Sequence, residues 1–208
     1  MTTVIKRPKP RRERKKAAVR AHILATAIQL FSHRGLDSVT VDQIADAADI
    51  GKGTIYNYFS TKEDIVVAFM VDFETRVQAK VRHLVTSKGS LESILAGYIR
   101  FQFQMKKPYH QFVRVFLGQM FLRTEQFLPY MVEMQKTIDP PLEALFRGLQ
   151  ERGLMRKDVH PPDLVVIFKT IHLGLTALWA VEGPPFEFTE KTLKQEIELF
   201  CQGLRTTT

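Results

Sequence analysis

Apolar residues recur every three to four positions along most of the chain, the spacing of helices that bury one face. From about Ala17 to Ser32, the residues Ile23, Leu24, Ala27, Ile28, Leu30 and Phe31 form such a stripe. Gly35 follows as a left-handed cap, with Leu36 placed to fold back on the helix. Thr40 with Gln43 makes a capping box, and Val39 with Ile44 a hydrophobic staple, so a short helix is expected over 41–48. Asp49, a residue type that tolerates a left-handed turn, ends it. Gly51 then opens a third helix over 52–58.

Ser60-Thr61 with Glu63-Asp64 starts a longer helix, about 61–86, in which Ile65, Phe69, Phe73, Val77 and Val81 form an i+4 row. A helix that long spans roughly 35 Å, enough to link two units. The remaining pattern predicts helices over 91–106, 108–122, 125–152 (with a break or restart at Pro140-Pro141), 162–181 and 190–205. No segment alternates with the period of a strand and no internal repeat is seen, so the expected fold is all-α. An N-terminal three-helix DNA-binding domain of the helix-turn-helix type would be followed by a larger helical domain.

Charge changes this picture at one end. Of the formal net charge of +8, all is carried by residues 1–20, where nine basic residues face only Glu13. Pro8 and Pro10 suggest an extended arm, expected over 1–16, able to lie along a polyanion such as DNA or an acidic membrane surface. A solvated tail is the plain alternative. The single cysteine, Cys201, excludes an internal disulfide and fits a reducing cytosol. The basic N-terminus lacks the apolar stretch of a secretory signal, and no uninterrupted apolar run was found that approaches the length of a membrane span, so no membrane partner is expected.

The stretch "GKGTIYNYF" at 51–59 combines glycine, lysine and threonine as a phosphate cradle would. A P-loop is excluded. Asp46 stands where its first glycine belongs, Gly53 follows Lys52 where Ser or Thr is required, and no strand precedes. As the second helix of a helix-turn-helix, the same stretch makes sense. Ile55 and Phe59 share an inward face with Ile50, while Lys52 and Tyr56 share an outward face flanked by Gly53 and Asn57. A lysine in the first turn favours phosphate, Gly53 permits close backbone approach, and a tyrosine can reach phosphate or a thymine methyl. Local packing of Tyr56 and Tyr58 is the alternative.

Residues 23–69, "ILATAIQLFSHRGLDSVTVDQIADAADIGKGTIYNYFSTKEDIVVAF", resemble the DNA-binding domain of the TetR family of bacterial transcriptional repressors. The resemblance rests on Phe31…Gly35, Thr40, Ile44-Ala45, Gly53-Thr54, Tyr56-x-x-Phe59 and Lys62-Glu63 in order. It implies a DNA-binding domain over 17–62 and an effector-binding and dimerisation domain over 63–208. It also implies that Lys52, Thr54, Tyr56 and Tyr58 contact DNA and that Thr40 and Lys62 grip flanking phosphates. With Gly53 and Asn57 beside them, and Arg12, Arg14 and Lys16 of the basic arm following the backbone or entering the minor groove, these complete the expected DNA-binding set. Two positions depart from the family pattern: Asp49, where Gly is usual, and Gly51, where Ser is frequent.

The second half carries two further expectations. Residues 163–181 are apolar nearly all round, and the final helix bears a stripe. The dimer interface is therefore expected at Ile167, Ile171, Gly174, Leu175, Leu178, Ile197, Phe200 and Leu204, with a monomeric core as the alternative. Residues 91–152 are rich in Phe and Met, adaptable walls for a hydrophobic effector. Phe101, Met105, Phe112, Phe116, Met120, Phe127, Met131 and His172 are the candidate pocket, and an ordinary aromatic core is the alternative. Arg100, Gln104, Arg114, Gln119 and Lys169 are weaker candidates for orienting a ligand.

An enzyme is not expected. The six histidines are scattered without metal-ligand spacing, no GxSxG is present, and Cys201 lacks a histidine neighbour at helical spacing. No cofactor is expected either. The resulting reading is a bacterial cytoplasmic, nucleoid-associated regulator, most simply a repressor. It would bind a palindromic double-stranded operator as a homodimer and be released by a small hydrophobic ligand. The alternative is an architectural or non-sensing helix-turn-helix protein without an effector pocket.

Overall fold

The computed structural model describes residues 10–81, 84–122 and 124–205. Among them the regular elements are all helical. They run α1 (Arg11–Arg34), α2 (Val41–Ala47), α3 (Lys52–Tyr56), α4 (Lys62–Val81), α5 (Leu91–Lys106), α6 (His110–Leu122), α7 (Thr124–Glu151), α8 (Pro161–Glu182) and α9 (Glu187–Gln202), with 3-10 turns at Leu84–Thr86 and Lys107–Tyr109. The chain divides into two compact units, Met1–Phe69 and Met70–Thr208. The division falls inside α4.

The first unit is built as its start and stop signals dictate. Gly35 ends α1 with φ 78°, and its N–H donates to the Phe31 carbonyl. The Thr40 hydroxyl accepts from the Gln43 N–H while the Gln43 side chain accepts from the Thr40 N–H, closing the capping box. Val39 and Ile44, the staple pair, are both fully buried. Asp49 takes the left-handed turn at φ 52°. A second reciprocal cap joins Thr61 and Asp64 at the head of α4. Ile23, Ala27, Phe31, Ile44, Ile55 and Phe59 form the core of this unit. Two polar contacts fasten it: His22 Nε2 lies 3.1 Å from the Ala48 carbonyl, and the Arg20 guanidinium sits 5.8 Å from the Phe59 ring centroid.

Helix α1 begins at Arg11, six residues before the expected start, so Arg11, Arg12, Arg14, Lys15 and Lys16 are helical and not part of an extended arm. Pro10 occupies the N-cap, where it interrupts no bond within the helix. The expected arm also includes residues 1–9, which lie outside the described residues.

In the second unit α8 contacts α6, α7 and α9, and α5 contacts α9. Tyr98, Phe146, Phe168, Leu175 and Leu193 are buried there. Trp179 is stacked between Phe103 and Phe186, with His110 edge-on to it and His110 Nε2 3.2 Å from the Trp179 carbonyl. Cys201 is a buried thiol whose pKa is pushed up to about 12, by burial first and by Glu92 second.

Helix α7 corrects the expected break: it runs unbroken through Pro140-Pro141. Two prolines remove the N–H groups that would reach the carbonyls four residues back. The helix holds because Leu142, Leu145, Phe146 and Leu149 bury its following turns. In addition Lys169 of α8 grips Asp139 at 2.6 Å, directly before the prolines.

Helix α8 bears on the membrane expectation without reversing it. Its 22 residues are long and apolar enough, by length and composition alone, to cross a membrane. Within this fold that apolarity has another use, because the helix packs on α6, α7 and α9 and buries Leu164, Val165, Phe168, Leu175 and Trp179.

Candidate nucleic-acid interface

Helix α3 and the turn that follows it, through Phe59, sort their side chains by face. Ile55 and Phe59 point into the core of the first unit, at 0% and 5% exposure, whereas Tyr56 is 50% exposed and Lys52, Gly53, Thr54 and Asn57 are all exposed. Tyr58 is half-buried, its ring 6.5 Å from that of Phe59. Around Gly53 there is open space, so the fold itself does not require glycine there. Gly51, the N-cap residue, offers no side chain to the helix start.

The exposed face has a member that sequence pattern did not flag. Asp42 of α2 accepts from Lys52 Nζ at 2.7 Å through one carboxylate oxygen and from the Tyr56 hydroxyl at 3.2 Å through the other. The Lys52 hydrogen bond is the main cause that holds the Asp42 pKa below its ordinary value, and Asp42 in turn raises Lys52 and Tyr56. In the free protein one carboxylate thus occupies the two groups best placed to meet a phosphate. It lies 10 and 14 positions away across the turn, a separation that no helical period reveals.

The other expected DNA contacts are distributed differently. Thr40 is exposed and already caps α2. Lys62 donates to the carbonyls of Leu36 at 2.8 Å and Asp37 at 3.4 Å, tying the start of α4 to the loop between α1 and α2. Arg12, Arg14 and Lys16 are exposed on the first turns of α1. Five basic residues at the positive end of a helix repel its dipole, an arrangement that a bound polyanion would relieve.

Residues 23–69 match the family model described as bacterial regulatory proteins, tetR family. The transcriptional repressor KstR2 of Mycobacterium tuberculosis is 27% identical over 168 residues, covering 80% of this chain and 83% of that protein. The regulator RutR of Escherichia coli (strain K12) is 24% identical over 202 residues, 94% of each chain. Residues 23–69 thus carry the DNA-binding domain of the tetR family of bacterial regulatory proteins. The chain's fold likeness extends over both units. The fatty acid degradation regulator FadR from Bacillus halodurans superposes with a TM-score of 0.74 at 20% identity, over 97% of this chain and all of that one. Thermus thermophilus FadR in complex with lauroyl-CoA gives 0.69 at 18% identity, over 91% and 96%.

In the second unit the expected pocket residues divide. Phe112, Phe116, Met120 and Phe127 are buried, and the three aromatics pack on one another, with Phe116 stacked on Phe112 at 6.0 Å and edge-on to Phe127 at 5.8 Å. Phe101, Met105, Met131 and His172 are half-buried. Of the weaker polar candidates, Arg100 pairs with Glu190 on the surface, Lys169 is committed to Asp139, and Gln104 and Arg114 are exposed.

A polar cluster stands instead on α4, α5 and α8. Gln102 Nε2 donates to the Tyr98 hydroxyl at 3.0 Å, and Lys106 Nζ lies 3.3 Å from His172 Nε2. Glu74, Gln78, Gln102 and Lys106 are 5%, 5%, 1% and 7% exposed. Among the described residues Glu74 Oε2, both polar atoms of Gln78 and Gln102 Oε1 have no hydrogen-bond partner. Each such atom costs about 1–3 kcal/mol. Burial raises the Glu74 pKa against the opposing Lys106 charge, pushes Lys106 down to about 8, and together with Lys106 holds His172 well below its usual value. The sequence carried a trace of this cluster. Tyr98, Gln102 and Lys106 are spaced by four within the buried stripe of α5, and Glu74 and Gln78 by four on α4.

Of the residues expected at a dimer interface, Leu175, Ile197 and Leu204 are buried within their own chain and belong to its core. Ile171, Leu178 and Phe200 are half-buried, while Ile167 and Gly174 are exposed. The exposed apolar residues on these helices are Val166, Ile167, Leu173 and Val181 of α8 and Phe188 and Leu199 of α9. A helix apolar all round does not announce which side its own chain covers.

Proposed function

We propose that this chain is a ligand-responsive transcriptional repressor that binds an inverted-repeat operator as a homodimer and leaves it when a small hydrophobic molecule binds the second unit. The observation that carries the reading is the split of α3, with Ile55 and Phe59 buried and Lys52 and Tyr56 turned outward on a capped helix-turn-helix. In this reading the domains divide as the resemblance implies, with residues 17–62 on DNA and 63–208 sensing and dimerising. Lys52, Gly53, Thr54, Tyr56, Asn57 and Tyr58 meet the groove. Arg12, Arg14 and Lys16 follow the phosphates, Thr40 meets them at the start of α2, and Lys62 does so on giving up its loop carbonyls. The exposed apolar side of α8 and α9 supports pairing with a second copy, and helix-turn-helix dimers need that pairing to read two half-sites about 34–36 Å apart. Helix α4 runs without interruption from Lys62 to Val81 across the division after Phe69, which supports a coupling role for it. A hydrophobic effector is in keeping with the lauroyl-CoA complex of Thermus thermophilus FadR. Action in the bacterial cytoplasm on the nucleoid, without catalysis, completes the proposal.

The test is enrichment of duplexes from a random library by the full chain. The expected product is an inverted repeat with half-site centres about 10 base pairs apart, bound by two copies. Failure to enrich any sequence, or binding by one copy to a single half-site, contradicts the reading. Binding that no apolar ligand ever weakens would favour a non-sensing architectural protein.

A further inference from the structure

The second unit buries polar groups that its own fold leaves unused. Glu74 and Gln78 of α4 face Gln102 and Lys106 of α5 closely enough that the amides of Gln102 and Gln78 and the charge of Lys106 all act on the Glu74 carboxyl. Tyr98 and His172 close the group, their rings 6.0 Å apart, and His172 lies against Phe103 at 6.4 Å. Four polar side-chain atoms in this cluster lack a partner among the described residues, and every side chain bearing one is at least nine-tenths buried. A protein interior satisfies such groups or uses them.

We propose that the Glu74–Gln78–Gln102–Lys106 cluster is the recognition site for a ligand with an apolar body and an uncharged hydrogen-bonding end, a hydroxyl or a carboxamide. The assignment deepens the ligand-responsive reading given above and rests on it. The chemistry follows from the inventory of atoms. Glu74 and Lys106 bring one negative and one positive group that already act on each other, so the site needs no further charge. A carboxylate would stand beside Glu74, and an ammonium beside Lys106. The unpartnered atoms include a carboxylate oxygen, two amide oxygens and an amide nitrogen, and a hydroxyl or carboxamide both donates and accepts. Phe103 and the Phe168 ring, 5.4 Å from Tyr98, supply apolar surface alongside.

The experiment measures binding of decanol, decanamide, decanoic acid and decylamine to the full chain by calorimetry and thermal shift, for wild type, Glu74→Gln and Gln78→Met. The expected result is binding of the alcohol and amide at least tenfold tighter than the acid and the amine. Gln78→Met, which removes two polar atoms that have no hydrogen-bond partner, is expected to melt no lower than wild type yet to lose most of that preference. Glu74→Gln is expected to shift the preference in a chain that still folds. Equal or tighter binding of the acid or the amine overturns the ligand class. Absence of binding by all four, or a lowered melting temperature in Gln78→Met, overturns the site and leaves a water-filled structural cluster. DNA affinity measured in parallel separates the two readings. Selective binding of the alcohol without loss of affinity for the enriched duplex leaves the site standing and removes the regulatory role.

Discussion

In the proposed reading, Asp42 sets the terms on which Lys52 and Tyr56 would meet DNA. Its carboxylate must surrender both groups to a phosphate or a base, and its negative charge stays close by. Asp42→Asn is therefore expected to raise affinity for all duplexes several-fold and to steepen the salt dependence by about one phosphate contact, measured as Kd against salt. Gly53→Ala tests a different residue: the fold has open space for the methyl, so stability should hold or rise by about 0.5–1 kcal/mol while DNA affinity falls. Lys106 gives a pH signature. Its folded pKa of about 8 lies below the ordinary lysine value of 10.5, so the unfolded chain binds the extra proton between those values, and stability should climb as pH rises from about 8 to about 10.5. Glu74, His172 and Tyr98 titrate nearby, so the check is a pH series of melts in which Lys106→Met removes that rise. At this scale the sequence showed roles set by local spacing, such as the Thr40–Gln43 cap and the inward Ile55 and Phe59. Asp42 and the buried cluster escaped because their partners come from other helices.

Helix boundaries followed local chemistry where caps were strong and failed where packing took over. Thr40, Gly35 and Asp49 placed α2 and its neighbours closely, since each satisfies or ends a specific set of backbone groups. Pro140-Pro141 read as a break because proline removes backbone donors, but burial of the turns that follow, with the Lys169–Asp139 pair just before, outweighs two lost bonds. The turn before α3 offers an element-scale test. A Cβ at Gly51 would meet only Thr54 Oγ1 at 3.7 Å, and a serine there could cap the helix, so Gly51→Ser should stabilise the first unit by a few tenths of a kcal/mol. Urea melts of the two forms decide it, and a loss of stability would show that the turn itself needs glycine.

For the whole molecule the question is what covers α8 and α9. Val181 and Leu199 are 75% and 67% exposed, and neither belongs to the chain's own core. Replacing either by arginine should yield a folded monomer with much weaker operator binding, read by sedimentation and by the enriched duplex. The all-helical class and the DNA-binding unit were legible because each helix writes its period and its caps into adjacent residues. The pairing face was not, since burial by the same chain and burial by a second copy select the same residue types. The central claim is that α3 reads DNA with one face and holds its unit together with the other. The most direct measurement compares Tyr56→Ala and Phe59→Ala for both stability and affinity toward the enriched duplex. Tyr56→Ala should melt as wild type does yet lose operator binding, whereas Phe59→Ala should destabilise the first unit by about 3–5 kcal/mol. Wild-type affinity in a folded Tyr56→Ala protein would contradict the account.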